Sequence, residues 1–141
     1  MKKTNISTLF ISVLIIMIVN SCGRNTPNCH AYYTIKNNTS SAIYFGWSYD
    51  SSLLRLSSSP ISSPAENKCD ANAEKEDGNN GTCRESDISY SSTNKLYIFI
   101  FDATVIETTP WQTVKQNHLL LKRYGLTKAQ LDSANWIINY P

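Results

Sequence analysis

Four cysteines, three tryptophans and two histidines hold most of the chemistry open to this chain of 141 residues. A thiol can be acylated, bridged to another thiol, bound to a metal or used as a nucleophile, and its neighbours decide which. Cys29, Cys69 and Cys83 are widely spaced, with no short Cys-x-x-Cys pattern, and His30 and His118 fall in no Cys/His motif. That spacing argues against a zinc set and against a catalytic thiol with a base beside it. Asp70, Asn72, Glu74, Glu76 and Asp77 are spaced somewhat like a calcium loop. However, Lys75 stands where that loop needs glycine, and Gly81 where it needs glutamate, so a solvated acidic loop is expected. The chain has no Gly-x-Ser-x-Gly elbow, no phosphate-binding glycine loop and no His-Glu-x-x-His. Asp50, Asp102 and Glu107 carry nothing local to mark them as a hydrolytic pair. The expectation is a non-enzymatic protein without metal or cofactor, an unrecognised hydrolase being the last alternative.

The aromatic residues offer a different chemistry. Trp47, Trp111 and Trp136, with Tyr32, Tyr44 and Tyr124, are candidates for a platform on which glycan rings stack. The competing expectation, which leads, is that these rings pack the core and lock elements together.

Cys22 is distinguished by what precedes it. Lys2 and Lys3 open the chain, residues 9–19 form an almost unbroken apolar run, and Val19-Asn20-Ser21 leads into the cysteine. The run is shorter than the ~20 residues that span a bilayer and suits the ~7–15 of a signal peptide. Ser21 supplies the small residue before the cut. The pattern resembles the lipobox of bacterial lipoproteins, whose cysteine is acylated and becomes the new N-terminus. Two or more acyl chains hold a protein firmly to a bilayer. The expected organisation is a signal peptide at 1–21, a lipidated tether at 22–28 and one globular domain at 29–141. That domain carries a long polar loop at about 51–92. The membrane would be reached through the lipid, with a protein or glycan as the unknown partner. Of the 13 basic residues, Lys2 and Lys3 leave with the signal, and none of the 11 acidic ones does, so the remainder is neutral. Nothing in it points to nucleic acid.

Outside the cytoplasm, three remaining thiols make one bridge and one leftover. Cys83 belongs to both plausible pairs. Cys69–Cys83 would close a short loop worth ~3 kcal/mol in the chain-entropy model, and Cys29–Cys83 a longer one worth roughly 4 kcal/mol.

These residues need elements to position them. Residues 30–35 and 42–49 are aromatic and β-branched, separated by Asn37-Asn38-Thr39-Ser40, and read as two strands of an antiparallel hairpin. Ile43, Phe45 and Trp47 would share one face of the second strand, Tyr44 and Gly46 the other. Residues 51–92 are rich in Ser, Pro, Asn and charge, with a short strand expected around 88–90. A loop of that length must be pinned by a crosslink or be mobile. Residues 95–101 are apolar on both faces, as a central strand covered on both sides requires. Thr109-Pro110-Trp111-Gln112 and Thr127-Lys128-Ala129-Gln130 each carry a capping box, predicting helices over 110–117 and 128–134. Leu126 and Leu131 add a hydrophobic staple to the second. Residues 119–122 and 136–140 read as strands. The fold class is α+β, a mainly antiparallel sheet with two short helices in the C-terminal third. A β-sandwich with helical connections is the alternative.

The C-terminal stretch Phe99-Ile100-Phe101-Asp102, Thr109-Pro110-Trp111-Gln112-Thr113-Val114, Leu121-Lys122-Arg123-Tyr124-Gly125-Leu126-Thr127 and Asn135-Trp136-Ile137-Ile138-Asn139-Tyr140-Pro141 resembles a family of small Bacteroidetes lipoproteins of unknown function. The likeness is strong over the last third only and brings no assigned activity. It implies a cell-envelope location. In that phylum, surface-bound lipoproteins tend to carry acids after the lipidated cysteine. Gly23-Arg24-Asn25 follows here, which implies the periplasmic face of the outer membrane. Family members tend to have a cysteine before the first strand and another mid-chain, which favours Cys29–Cys83. The phylum also glycosylates Asp-Ser/Thr before a small residue, a pattern Asp132-Ser133-Ala134 matches.

Overall fold

The computed structural model describes residues 29–78 and 82–141. The expected signal peptide, Cys22 and the expected tether lie outside the described residues. The chain folds as α+β, with seven strands in two sheets, four of the five strand pairings being antiparallel. Strands β1 (Tyr32–Asn37), β4 (Glu74–Gly78) and β7 (Ile137–Tyr140) form one sheet in the order β4-β1-β7. Strands β2 (Ile43–Ser48), β3 (Lys68–Cys69), β5 (Leu96–Asp102) and β6 (Lys122–Leu126) form the other, in the order β3-β2-β5-β6.

β1 and β2 are therefore not a hairpin. β1 has both edges occupied, by β4 antiparallel and by β7 parallel, so β2 has no place beside it. Asn37 makes the passage between sheets. Its amide nitrogen donates to the carbonyls of Ser41 (2.8 Å) and Asp70 (2.9 Å), and its oxygen accepts from Thr39 Oγ1 (2.8 Å). A buried polar side chain must be satisfied in this way, and here its partners hold three segments together.

Alternation on the strands builds two apolar clusters. Tyr33, Ile35 and Ile138 of the first sheet meet Ile43, Phe45, Leu96, Ile98 and Ile100 of the second, with Ile88, Leu131 and Trp136 closing the gap. On the far face of β2 and β5, Tyr44, Phe99 and Phe101 pack against Leu53, Leu56, Ala103, Ile106 and Val114. β5 is thus covered on both faces, as its sequence requires. Each fully buried Ile, Leu or Phe contributes on the order of 1.5–3 kcal/mol by leaving water.

The segment 51–92 is not one long loop. It holds 3-10 turns at Leu53–Arg55 and Pro60–Ser62, helix α1 (Pro64–Asn67), β3, β4 and helix α2 (Arg84–Tyr90). Its elements are short and none buries more than one apolar side chain, too few to leave an apolar period. The expected strand at 88–90 is the end of α2, with Ile88 in the core. The expected acidic loop is largely β4, with two of its acids paired: Lys36 reaches Glu74 at 2.9 Å, and Asp77 is buried against Arg84. Tyr32 lies over Gly78 across the strand pair, leaving no room for a Cβ.

The last third carries three helices rather than two. Asp102 ends β5 and caps α3 (Ala103–Thr108), its side chain accepting from Val105 N. Thr109 closes that helix, so the capping box expected there does not form; Pro110 precedes α4 (Trp111–Gln116) without a side-chain cap. The second box is present. Around α5 (Lys128–Ser133), Thr127 Oγ1 accepts from Gln130 N and Gln130 Oε1 accepts from Thr127 N. The strand expected at 119–122 begins only at Lys122 and runs to Leu126. Trp136 precedes β7, with φ of 59°.

Candidate functional site

A cavity of about 600 Å³ lies along β2, between the strand and the Ser57-Ser58-Ser59-Pro60 segment. That volume is in the range of ligand pockets. β3 pairs with β2 only at Ile43 and Tyr44, whereas β5 pairs with it from Ile43 through Ser48. Among the described residues, 45–48 therefore have a strand neighbour on one side only. The cavity sits at this part of the strand, lined by Gly46, Trp47 and Ser48.

Its walls are built by ordinary strand alternation. Trp47 and Tyr49 belong to the side of the first cluster, with their rings 5.3 Å apart at 62°. Gly46 faces the second cluster, where Leu56 and Pro60 carbons lie within 3.4–3.7 Å of the place a Cβ would take. The rim is hydroxylic, with Ser57, Ser58, Ser59 and Ser92 lining it. Asp50 and Arg55 are its only charged residues, opposite in sign and 3.8 Å apart. The cavity is aromatic and apolar along the strand, polar at the mouth, and neutral overall.

Behind this wall sits Arg84, fully buried. Its guanidinium lies 4.6 Å from the Tyr33 ring and 4.7 Å from the Trp47 ring, within cation–π range. Nη2 donates to Asp77 Oδ2 at 2.8 Å, while Nε and Nη1 find no partner among the described residues. Burial pushes the Asp77 carboxyl above its ordinary range, and the nearby guanidinium only partly offsets this. The same burial pushes the Tyr49 hydroxyl up to about 12, so it stays a neutral donor, 3.1 Å from Asp87 Oδ2. Arg84 thus fixes the indole of Trp47 from the side of the core.

The three tryptophans do not share a surface. Trp111 packs edge-on against Phe101 in the second cluster, at 5.6 Å. Trp136 is 2% exposed and stacks on the His30 ring at 4.5 Å. Only Trp47 lines the cavity, so the three indoles do not meet on one surface; Trp136 is in the first cluster, and Trp111 packs, partly buried, against the second. Tyr32, Tyr44 and Tyr124 do not line the cavity either.

Cys29 and Cys83 form the disulfide, with Cα atoms 4.8 Å apart. Cys69 is the leftover thiol, buried, so Cys69–Cys83 is excluded. Burial raises the Cys69 pKa, leaving it a protonated apolar side chain near the Ala73 carbonyl.

The bridge brings His30 beside Glu85. His30 Nδ1 lies 2.5 Å from Glu85 Oε1, and the His30 backbone N–H donates to both carboxylate oxygens at 2.9–3.0 Å. Asp132 completes a trio whose ligand atoms lie within 4.8 Å of one another, a possible cation set. Each carboxylate is nevertheless already held, Asp132 by Lys128 Nζ (2.6 Å) and Trp136 Nε1 (3.0 Å). Burial alone would raise Glu85, but the His30 donors outweigh it and hold the carboxyl below its ordinary value. The trio closes the junction of α2, α5 and the start of the domain.

Sequence reasoning found Trp47 but missed Arg84, Tyr49 and the serines. A lone arginine and a serine run carry no motif, and a strand's unpaired edge appears only once its neighbours are known. No family model matches this chain, and comparisons with curated proteins and with solved structures likewise return no match.

Proposed function

We propose that this chain is a non-enzymatic binding domain, held to the cell envelope by lipid on Cys22, with the cavity beside Trp47 as its ligand site. The cavity carries the reading: its lining suits contact and hydrogen bonding, and its one carboxylate, Asp50, is paired with Arg55 rather than with a second acid. The sequence around Cys22 supports the lipid anchor, and the absence of acids after it supports a periplasm-facing place at the outer membrane. The ligand is a protein or a glycan.

Two measurements test this. Metabolic palmitate should label the wild type and leave Cys22→Ala unlabelled and released from membranes; equal labelling would remove the anchor. The lipidated protein in detergent should then be titrated with two panels, capped uncharged peptides and neutral oligosaccharides, following tryptophan emission. Ser58 is exposed on the rim, and Ser58→Arg places a bulky charge at the mouth. A saturable response to either panel, lost in Ser58→Arg, is expected. No response to either panel would defeat the binding role.

A further inference from the structure

We infer that the cavity takes an extended, uncharged polypeptide segment that adds as a strand along residues 46–48 of β2. This rests on the proposed function, in that it names the ligand class of the same cavity. A strand with one neighbour presents main-chain N–H and C=O groups on its other side, and these pair readily with an incoming extended chain. β3 stops pairing at Tyr44 and Phe45 is fully buried, so the accessible unpaired stretch begins at Gly46. The Ser57-Ser58-Ser59-Pro60 segment stands off from β2, leaving about 600 Å³ between them.

Side-chain parity specifies the ligand further. Residues of an added strand alternate between the two faces of the sheet. One parity would meet Leu56 and Pro60 beside Gly46, and the other Trp47 and Tyr49. Both faces are apolar or aromatic, so neither favours a charged side chain. Asp50 and Arg55 cancel at the mouth, so no net charge selects an acidic or basic ligand. The serine hydroxyls of the rim both donate and accept, which suits the outer main-chain edge of such a segment. The Oγ atoms of Ser57, Ser58, Ser59 and Ser92 make no hydrogen bond among the described residues.

The experiment uses the lipidated protein in detergent and capped hexapeptides alternating valine or tyrosine with serine. Each peptide is made also with N-methyl groups on every second amide, in the two possible frames. One frame removes the donors facing β2, and the other leaves them. Expected are saturable binding of the unmodified peptide, slowed amide exchange within residues 46–48, and at least tenfold weaker binding in one methylation frame only. Trp47→Phe, which keeps a ring in the wall, should retain the frame dependence; Ser58→Arg should abolish binding. Equal loss in both frames, or unchanged exchange at 46–48, would overturn strand addition. Binding of oligosaccharides but not peptides, lost in Ser58→Arg, would overturn the ligand class while leaving the binding role intact. Silence from both panels would overturn both.

Discussion

Replacing Asp77 with asparagine should be among the most damaging single-atom-scale changes in this molecule. The wild-type guanidinium of Arg84 is 0% exposed, and its one carboxylate partner is Asp77 Oδ2 at 2.8 Å. Asparagine fills the same volume and keeps an acceptor oxygen, but it leaves the buried guanidinium without a counter-charge, beside the faces of Tyr33 and Trp47. Breaking a buried pair by removing one partner costs about 3–5 kcal/mol. At 1.4 kcal/mol per decade, that is a shift of roughly two to four orders of magnitude in the folding constant. Removing the cation should be milder. With Arg84→Met, Asp77 takes up a proton, which burial already favours, and the cost should be about 1–3 kcal/mol, that of one poorly satisfied polar group. The double variant, Asp77→Asn with Arg84→Met, should return to within about 1–2 kcal/mol of wild type, because the desolvation cost of the pair offsets its attraction. Urea unfolding at pH 7, followed by tryptophan emission and circular dichroism, reads all four proteins as a double-mutant cycle. The reasoning fails if Asp77→Asn loses less than about 1 kcal/mol at unchanged urea slope. It fails also if the two single losses simply add in the double variant.

Three further outcomes are expected. Cys29→Ser should lower stability by about 4 kcal/mol in the chain-entropy model, the bridged residues being 54 apart, and thiol titration of the unfolded variant should show Cys83 newly reactive beside Cys69; an unchanged urea midpoint would contradict it. Thr127→Ala should cost ~1 kcal/mol, and Thr109→Ala clearly less, because of these two threonines only Thr127 accepts a hydrogen bond at a helix start; equal losses would refute the distinction. Glu85 has its folded-state pKa lowered below 4.5, so the stability it contributes is present above that value and lost as pH falls through the folded one. The difference in urea midpoint between wild type and Glu85→Gln should therefore shrink below about pH 4, and a constant difference from pH 7 to pH 3 would exclude this role.

What the sequence made legible were features set by local rules. The two-faced apolar pattern of 95–101 can only be a covered central strand, and β5 is one. Thr127 and Gln130 satisfy each other within one turn, so their helix begins where expected. The alternation of Ile43, Phe45 and Trp47 against Tyr44 and Gly46 survived because one register serves both clusters. Errors arose where distant parts compete. Thr109 and Gln112 had the letters of a capping box, but Asp102 starts a helix earlier and Thr109 is spent ending it. The turn residues after Asn37 suggested a hairpin, yet β4 and β7 arrive from elsewhere and occupy both edges of β1. Nothing in the sequence around Arg84 marks it as buried. Its burial depends on Asp77, Tyr33 and Trp47, three elements whose meeting no local pattern encodes. The open side of β2 depends likewise on β3 being only two residues long.

The bridge from Cys29 to Cys83 also decides how the domain bears load. Tension applied to the chain upstream of Cys29 does not reach β1 alone; it divides at the crosslink between that strand and α2. β1 is clamped between two neighbours, and the helix is anchored through Ile88 in the core. Rupture must then shear several contacts at once instead of peeling one strand in sequence. Under the lipid anchor proposed on Cys22, a pull along the chain before Cys29 would be shared between β1 and α2 instead of falling on one strand.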